Sequence, residues 1–150
     1  MTDILPFLKS LISISGLSGY EAPVANLIRE KWQPLVDEIS VSRVSSLHGL
    51  KRGSGKDPRP SLMIASHMDA IGMRVSGIVD GFLRITNVGG IDVRVLPGAE
   101  VTVHASGSNE ELAAVVVMPP ARFLPESASN GALEMEHLFV DTGLLPRDVA

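Results

Sequence analysis

The polar chemistry in this 150-residue chain gathers at Ser66-His67-Met68-Asp69. On an extended backbone His67 and Asp69, two apart, point to the same face. An imidazole backed by a carboxylate is a common arrangement for a metal-ligating histidine. The carboxylate accepts the far ring N–H, fixes the tautomer and raises the basicity of the other nitrogen. The same short triplet also reads as a histidine at a strand end beside a solvated aspartate. The chain has no cysteine, which removes thiolate ligands, thiol nucleophiles and disulfides and fits a cytoplasmic protein. A metal site here would draw on His, Asp and Glu. His48 falls in a loop, His104 on a strand and facing away from Val101 and Val103, and His137 at a strand start. None stands in H-E-x-x-H spacing, so His67 is the one ligand that can be placed, where a metal site needs three or four.

The element that must position His67 is the run before it. Leu62-Met63-Ile64-Ala65 is continuously apolar and too short for a helix, the pattern of a strand buried on both faces. We therefore expect Leu62–Ser66 to be a buried strand of an α/β lobe, with the polar residues at its carboxyl end, where open α/β sheets bind ligands. Upstream, Ile4, Leu5, Leu8, Leu11 and Ile12 recur at helical spacing and predict a helix over Asp3–Ile14, capped by Thr2 or Asp3. Ser18 and Glu21 stand in the S-x-x-E relation of a capping box. It would open a second helix, Glu21–Gln33, with an apolar stripe of Val24, Leu27, Ile28 and Trp32, closed by Pro34. Val36–Val44 reads as a strand. Leu47–Pro60 reads as a solvated, mobile loop containing Lys51, Arg52, Lys56 and Arg59. It has no G-x-x-x-x-G-K-[ST] pattern to cradle a phosphate.

From about Ile71 the hydrophobic period changes to two. Ile71, Met73 and Val75 alternate, and Asp80-Gly81 is a two-residue hairpin signal flanked by Phe82 to Thr86. Val93–Leu96 reads as short and extended, stopped by Pro97-Gly98. Glu100–His104 alternates, Ser106–Glu110 is a turn, and Leu112–Met118 is an apolar strand ended by Pro119-Pro120. Arg122–Met135 is polar and irregular, His137–Asp141 is one more strand, and Thr142 could cap a helix starting at Leu144. Short strands with frequent turns predict a small antiparallel barrel or sandwich.

Composition excludes several classes. With 45% hydrophobic and 20% charged residues, the chain has the balance of a globular domain and not of a disordered one. A net charge of −4 argues against nucleic acid as a partner. No apolar run approaches the ~20 residues of a membrane span, and no signal peptide is visible.

Five segments together carry a resemblance: SGYE at Ser18–Glu21, ASHMDAIGMRV at Ala65–Val75, DGFLRITNVGGID at Asp80–Asp92, RVLPGAEVTVH at Arg94–His104 and LFVDTG at Leu138–Gly143. In this order and spacing the chain resembles the N-terminal part of the metal-dependent glutamyl/leucyl aminopeptidases that assemble as tetrahedral dodecamers. Some of these carry an older endoglucanase or cellulase label. The resemblance implies an α/β fold in which a metallopeptidase domain is interrupted by an inserted antiparallel β-barrel. Residues 1–70 would be the N-terminal segment of the catalytic domain, 71–142 the barrel, and 143–150 the start of the return. It implies His67 as a ligand to one of two divalent ions (zinc, cobalt or manganese) and Asp69 as the catalytic-site carboxylate that orients it. It places the other ligands and the general base downstream of LFVDTG. The chain would then be an N-terminal fragment, inactive by itself, of a hydrolase acting on peptide N-termini and associating as a homo-oligomer. This sequence has Ala70 where the family usually has an acidic residue. The competing reading is a non-catalytic truncated paralogue that serves as an interaction module through its barrel.

Overall fold

The computed structural model describes residues 3–105, 110–124 and 133–149. It is a small α/β protein of two compact units, Met1–Ala70 and Ile71–Ala150. The expected cap at Thr2, most of the expected turn at 106–109, and residues 125–132 of the irregular stretch lie outside the described residues.

The first unit opens with α1, Leu5–Ser13, in which Pro6 sits in the first turn, where its missing N–H costs nothing. Asp3 Oδ1 accepts from the Leu5 N–H at 3.0 Å, so Asp3 satisfies an end group of the helix although Ile4 is the cap residue. Helix α2, Ala22–Trp32, ends with Arg29 and Lys31 in its last turn, the favourable sign for the helix dipole. Its Val24 is buried, and the Lys31 ammonium lies 5.9 Å from the centre of the Phe7 ring. Strands β1, Glu38–Val41, and β2, Leu47–Leu50, form an antiparallel pair. Leu47–Leu50 therefore belongs to a hairpin and not to the expected loop. Gly49 allows this pairing beneath α2, since a Cβ there would come within 2.9 Å of the Trp32 ring. The basic residues after β2 are partly spent on local structure. Asp37 accepts from the Arg52 N–H at 2.6 Å and from Lys51 Nζ at 3.0 Å, and together these hold its carboxyl below the usual range.

Leu62–Ser66 is not a strand. The segment has no regular structure, and Leu62, Met63 and Ile64 are 87%, 87% and 89% exposed. A strand buried on both faces needs neighbours on both sides. Strands β1 and β2 pair with each other, and among the described residues none forms a ladder with this run.

The second unit is one curled antiparallel sheet of five strands: β3 Gly72–Val79, β4 Phe82–Val88, β5 Glu100–His104, β6 Glu111–Val117 and β7 Phe139–Asp141, in spatial order β3-β4-β7-β6-β5. The β3–β4 hairpin turns at Asp80 and Gly81, whose φ values of 50° and 84° are both positive, as a type I′ turn demands. The register slips between Val75 and Gly77, a bulge that bends the outer strand. Period-two alternation puts Leu83, Ile85, Ala114, Val116 and Val140 on the buried face, where Leu96 and Leu138 complete the core. The expected extended piece at Val93–Leu96 is a 3-10 turn, Val93–Val95. Asp92 makes the difference: Oδ1 accepts from the Arg94 N–H at 3.1 Å, a local turn bond that competes with strand geometry. Likewise the expected helix from Leu144 is only a 3-10 turn at Pro146–Asp148.

Candidate functional site

The first unit brings Ser18, His67 and Asp69 together. Residues 16–18 and 67–70 run side by side, joined by a parallel bridge between Leu17 and Ala70 and by the Ala70 N–H donating to the Gly16 carbonyl at 2.7 Å. Gly16 is needed there because a Cβ would drive into the Val24 side chain of α2. The chain then reverses, with the Tyr20 N–H donating to the Leu17 carbonyl at 2.7 Å. Gly19 has φ +90°, the value the third position of a type II turn requires. The reversal presents the Ser18 hydroxyl to Asp69 Oδ2, to which it donates.

His67 turns Nδ1 toward Asp69. That nitrogen lies 3.0 Å from the Asp69 carbonyl oxygen and 3.3 Å from Oδ1. The His67 side chain is otherwise 84% exposed, so its Nε2 edge is open. The two residues that the sequence pairs are thus paired in space, with the geometry expected of a ligand histidine and the acceptor that sets its tautomer. The Asp69 carboxyl is held below its ordinary range, chiefly by the Ser18 hydroxyl, which outweighs desolvation, and to a lesser extent by its own N–H and by His67.

Ser18 is the residue that sequence reasoning assigned elsewhere. Helix α2 takes Glu21 as its cap residue, with no side-chain capping bond, and Glu21 Oε1 accepts instead from the Gly19 N–H at 2.7 Å. The S-x-x-E spacing fits both arrangements, and the partner of Ser18 is 51 positions away, beyond any local pattern.

The other histidines make local contacts or none that bear on ligation. His48 is exposed in β2. His104 Nδ1 lies 3.5 Å from Glu111 Oε1 across the β5–β6 pair. His137 accepts the Glu134 N–H at Nδ1, closing a local turn. Among the described residues no three His, Asp or Glu side chains gather into a metal-binding group. Hence the donors at His67 fit one ligand and its orienting carboxylate, and no more. Two concavities lie elsewhere: about 400 Å³ between Arg29, Gln33 and β1 in the first unit, and about 710 Å³ beside Thr102, Val115 and Asp141 in the second. No helix among the described residues is long and apolar enough to cross a membrane.

The sequence profile of the M42 glutamyl aminopeptidases matches residues 46–150, and the chain belongs to that family. It is 28% identical over 145 residues to the lysyl aminopeptidase of Pyrococcus furiosus, covering 95% of this chain and 40% of that protein. Its fold matches the crystal structure of the TET aminopeptidase from the marine sediment archaeon Thaumarchaeota archaeon SCGC AB-539-E09. The TM-score is 0.84 and the identity 26%, over 97% of this chain and 40% of that one. It also matches the TET1 peptidase of Pyrococcus horikoshii, described as able to assemble into a tetrahedron or a large octahedral shell. There the TM-score is 0.76 and the identity 28%, over 99% of this chain and 43% of that one. The chain therefore spans well under half the length of these relatives.

Proposed function

We propose that this chain supplies the N-terminal portion of a dinuclear-metal aminopeptidase, with His67 as a ligand to one divalent ion and Asp69 as the carboxylate that orients it. The observation that carries the reading is the His67–Asp69 pair, lying in a chain of the M42 family with Nδ1 engaged and the Nε2 edge open. In this reading residues 1–70 are a segment of the catalytic domain, 71–142 an inserted β-barrel and 143–150 the return. The ions, whether zinc, cobalt or manganese, would lower the pKa of a bound water and polarise a peptide carbonyl. Asp69 takes up the Nδ1 proton side of His67 and leaves Nε2 free to bind. The substrates are peptides, cleaved at their N-termini, and the protein associates with copies of itself, as the TET1 relative does.

The outer strands β3 and β5 of the five-stranded sheet, edges of the kind that pair with another chain, favour a second reading, a non-catalytic module that associates through its sheet. One experiment separates the two. The segment of this chain that matches the Pyrococcus lysyl aminopeptidase replaces its counterpart there, and release of amino acid from aminoacyl-p-nitroanilides is followed with each metal. The aminopeptidase reading expects activity that His67→Ala abolishes. A folded, assembled chimera with no activity, or one indifferent to His67→Ala, would overturn it.

A further inference from the structure

We propose that Ser18 is a positioning residue for His67, acting through Asp69. The structure aligns three groups in sequence: the Ser18 hydroxyl on Asp69 Oδ2, Asp69 Oδ1 at 3.3 Å from His67 Nδ1, and the open Nε2 edge beyond. A carboxylate on an otherwise irregular segment can rotate about its side-chain torsions, and only one of its oxygens faces the imidazole. Ser18 removes that freedom by engaging the other oxygen. Its own position is fixed from two sides. The turn at Gly19 sets it from its own chain, and the Ala70 N–H to Gly16 carbonyl bond sets it against the Asp69 segment. Nδ1 then keeps its proton between two acceptors, the Oδ1 atom and the Asp69 carbonyl. The tautomer with an unprotonated Nε2 is favoured before any ligand arrives. In free imidazole side chains the hydrogen bond made by one nitrogen decides the state of the other, and here that bond depends on a residue from the opposite end of the unit.

The value of Nε2 as a ligand rests on the aminopeptidase reading, but the tautomer does not, so the two can fail separately. The test is ¹⁵N NMR of the 150-residue chain at about pH 8.5, where an ordinary imidazole is neutral. The unaltered chain should show His67 mainly as the Nδ1–H form. In Ser18→Ala the ratio of that form to the other should fall about fivefold, the loss expected when one hydrogen-bonding partner slackens. Ser18→Thr, which keeps the hydroxyl, should restore it. Lys51→Ala, which removes the ion pair with Asp37 elsewhere in the same unit, should leave the ratio unchanged. Equal ratios in Ser18→Ala and the unaltered chain would overturn the proposal, as would an equal fall in Lys51→Ala. Should Ser18→Ala not fold, the unaltered chain decides: a Ser18 hydroxyl proton that is slow to exchange and close to the Asp69 methylene supports the proposal, and a freely exchanging one overturns it. The chimera described above tests the other reading. A tautomer that responds to Ser18, in a chain whose chimera is active but indifferent to His67→Ala, upholds the Ser18 role and sinks the metal assignment.

Discussion

Replacing Gly16 by alanine should destabilise the first unit by about 1–2 kcal/mol, although it adds only a methyl group. Overpacking a filled site typically costs about 1–3 kcal/mol. Against this, Gly→Ala restricts the unfolded chain and returns about 0.4–1 kcal/mol. The added Cβ points into Val24, which is 3% exposed on α2, so relief requires the helix or the 16–18 segment to shift. The second option also strains the Ala70 N–H bond to the Gly16 carbonyl. Gly53 is the control, since a Cβ there meets nothing within 4 Å, and Gly53→Ala should be neutral or slightly stabilising. The assay is urea unfolding followed by fluorescence of Trp32, the one tryptophan, which packs against Gly49 within this unit. With a urea slope of about 1 kcal/mol/M, the Gly16→Ala midpoint should fall by about 1–2 M. A midpoint equal to that of Gly53→Ala would refute the reasoning, because it would show that Val24 has room to yield.

Three further expectations follow from the same structure. Leu138→Ala, at a side chain 1% exposed in the second core, should cost about 2–5 kcal/mol, read by calorimetry. Loss below about 1 kcal/mol would mean that the sheet collapses around the gap. The Asp92 carboxyl is held down to about 2 by the Arg94 side chain and N–H, so the stabilisation it gives is complete above its ordinary value of 3.8 and vanishes as pH falls toward 2. Arg94→Ala should return its NMR titration midpoint toward ~3.9, and an unmoved midpoint would remove the assigned cause. Leu62, Met63 and Ile64 are exposed together, and such a run recruits other chains. Ile64→Lys should lower association by light scattering, whereas unchanged scattering would place the association surface elsewhere.

The second unit was legible in the sequence wherever a single face decides the strand. Leu83 and Ile85, then Ala114 and Val116, alternate with polar or exposed positions, and the Asp80-Gly81 turn announces its own hairpin. Legibility failed where a distant or very local partner decides. Leu62–Ala65 has the composition of a buried strand, but a strand exists only with its neighbours. Val93–Val95 looks extended, but the Asp92 side chain folds it into a turn. At the site, His67 and Asp69 were readable because the pairing is a matter of two residues, and Ser18 was not, because its partner lies on another part of the chain.

The strand order of the second unit carries a consequence for synthesis. The β3–β4 and β5–β6 pairs are each contiguous in the sequence and can form as soon as they are made. They do not touch as a sheet until β7 inserts between β4 and β6. Such non-local closure is slow relative to hairpin formation. On a ribosome adding about 5–20 residues per second, the two halves emerge with their inner edges unpaired and wait for Phe139–Asp141. Leu83, Val116 and their neighbours are sealed from water only after β7 has left the tunnel.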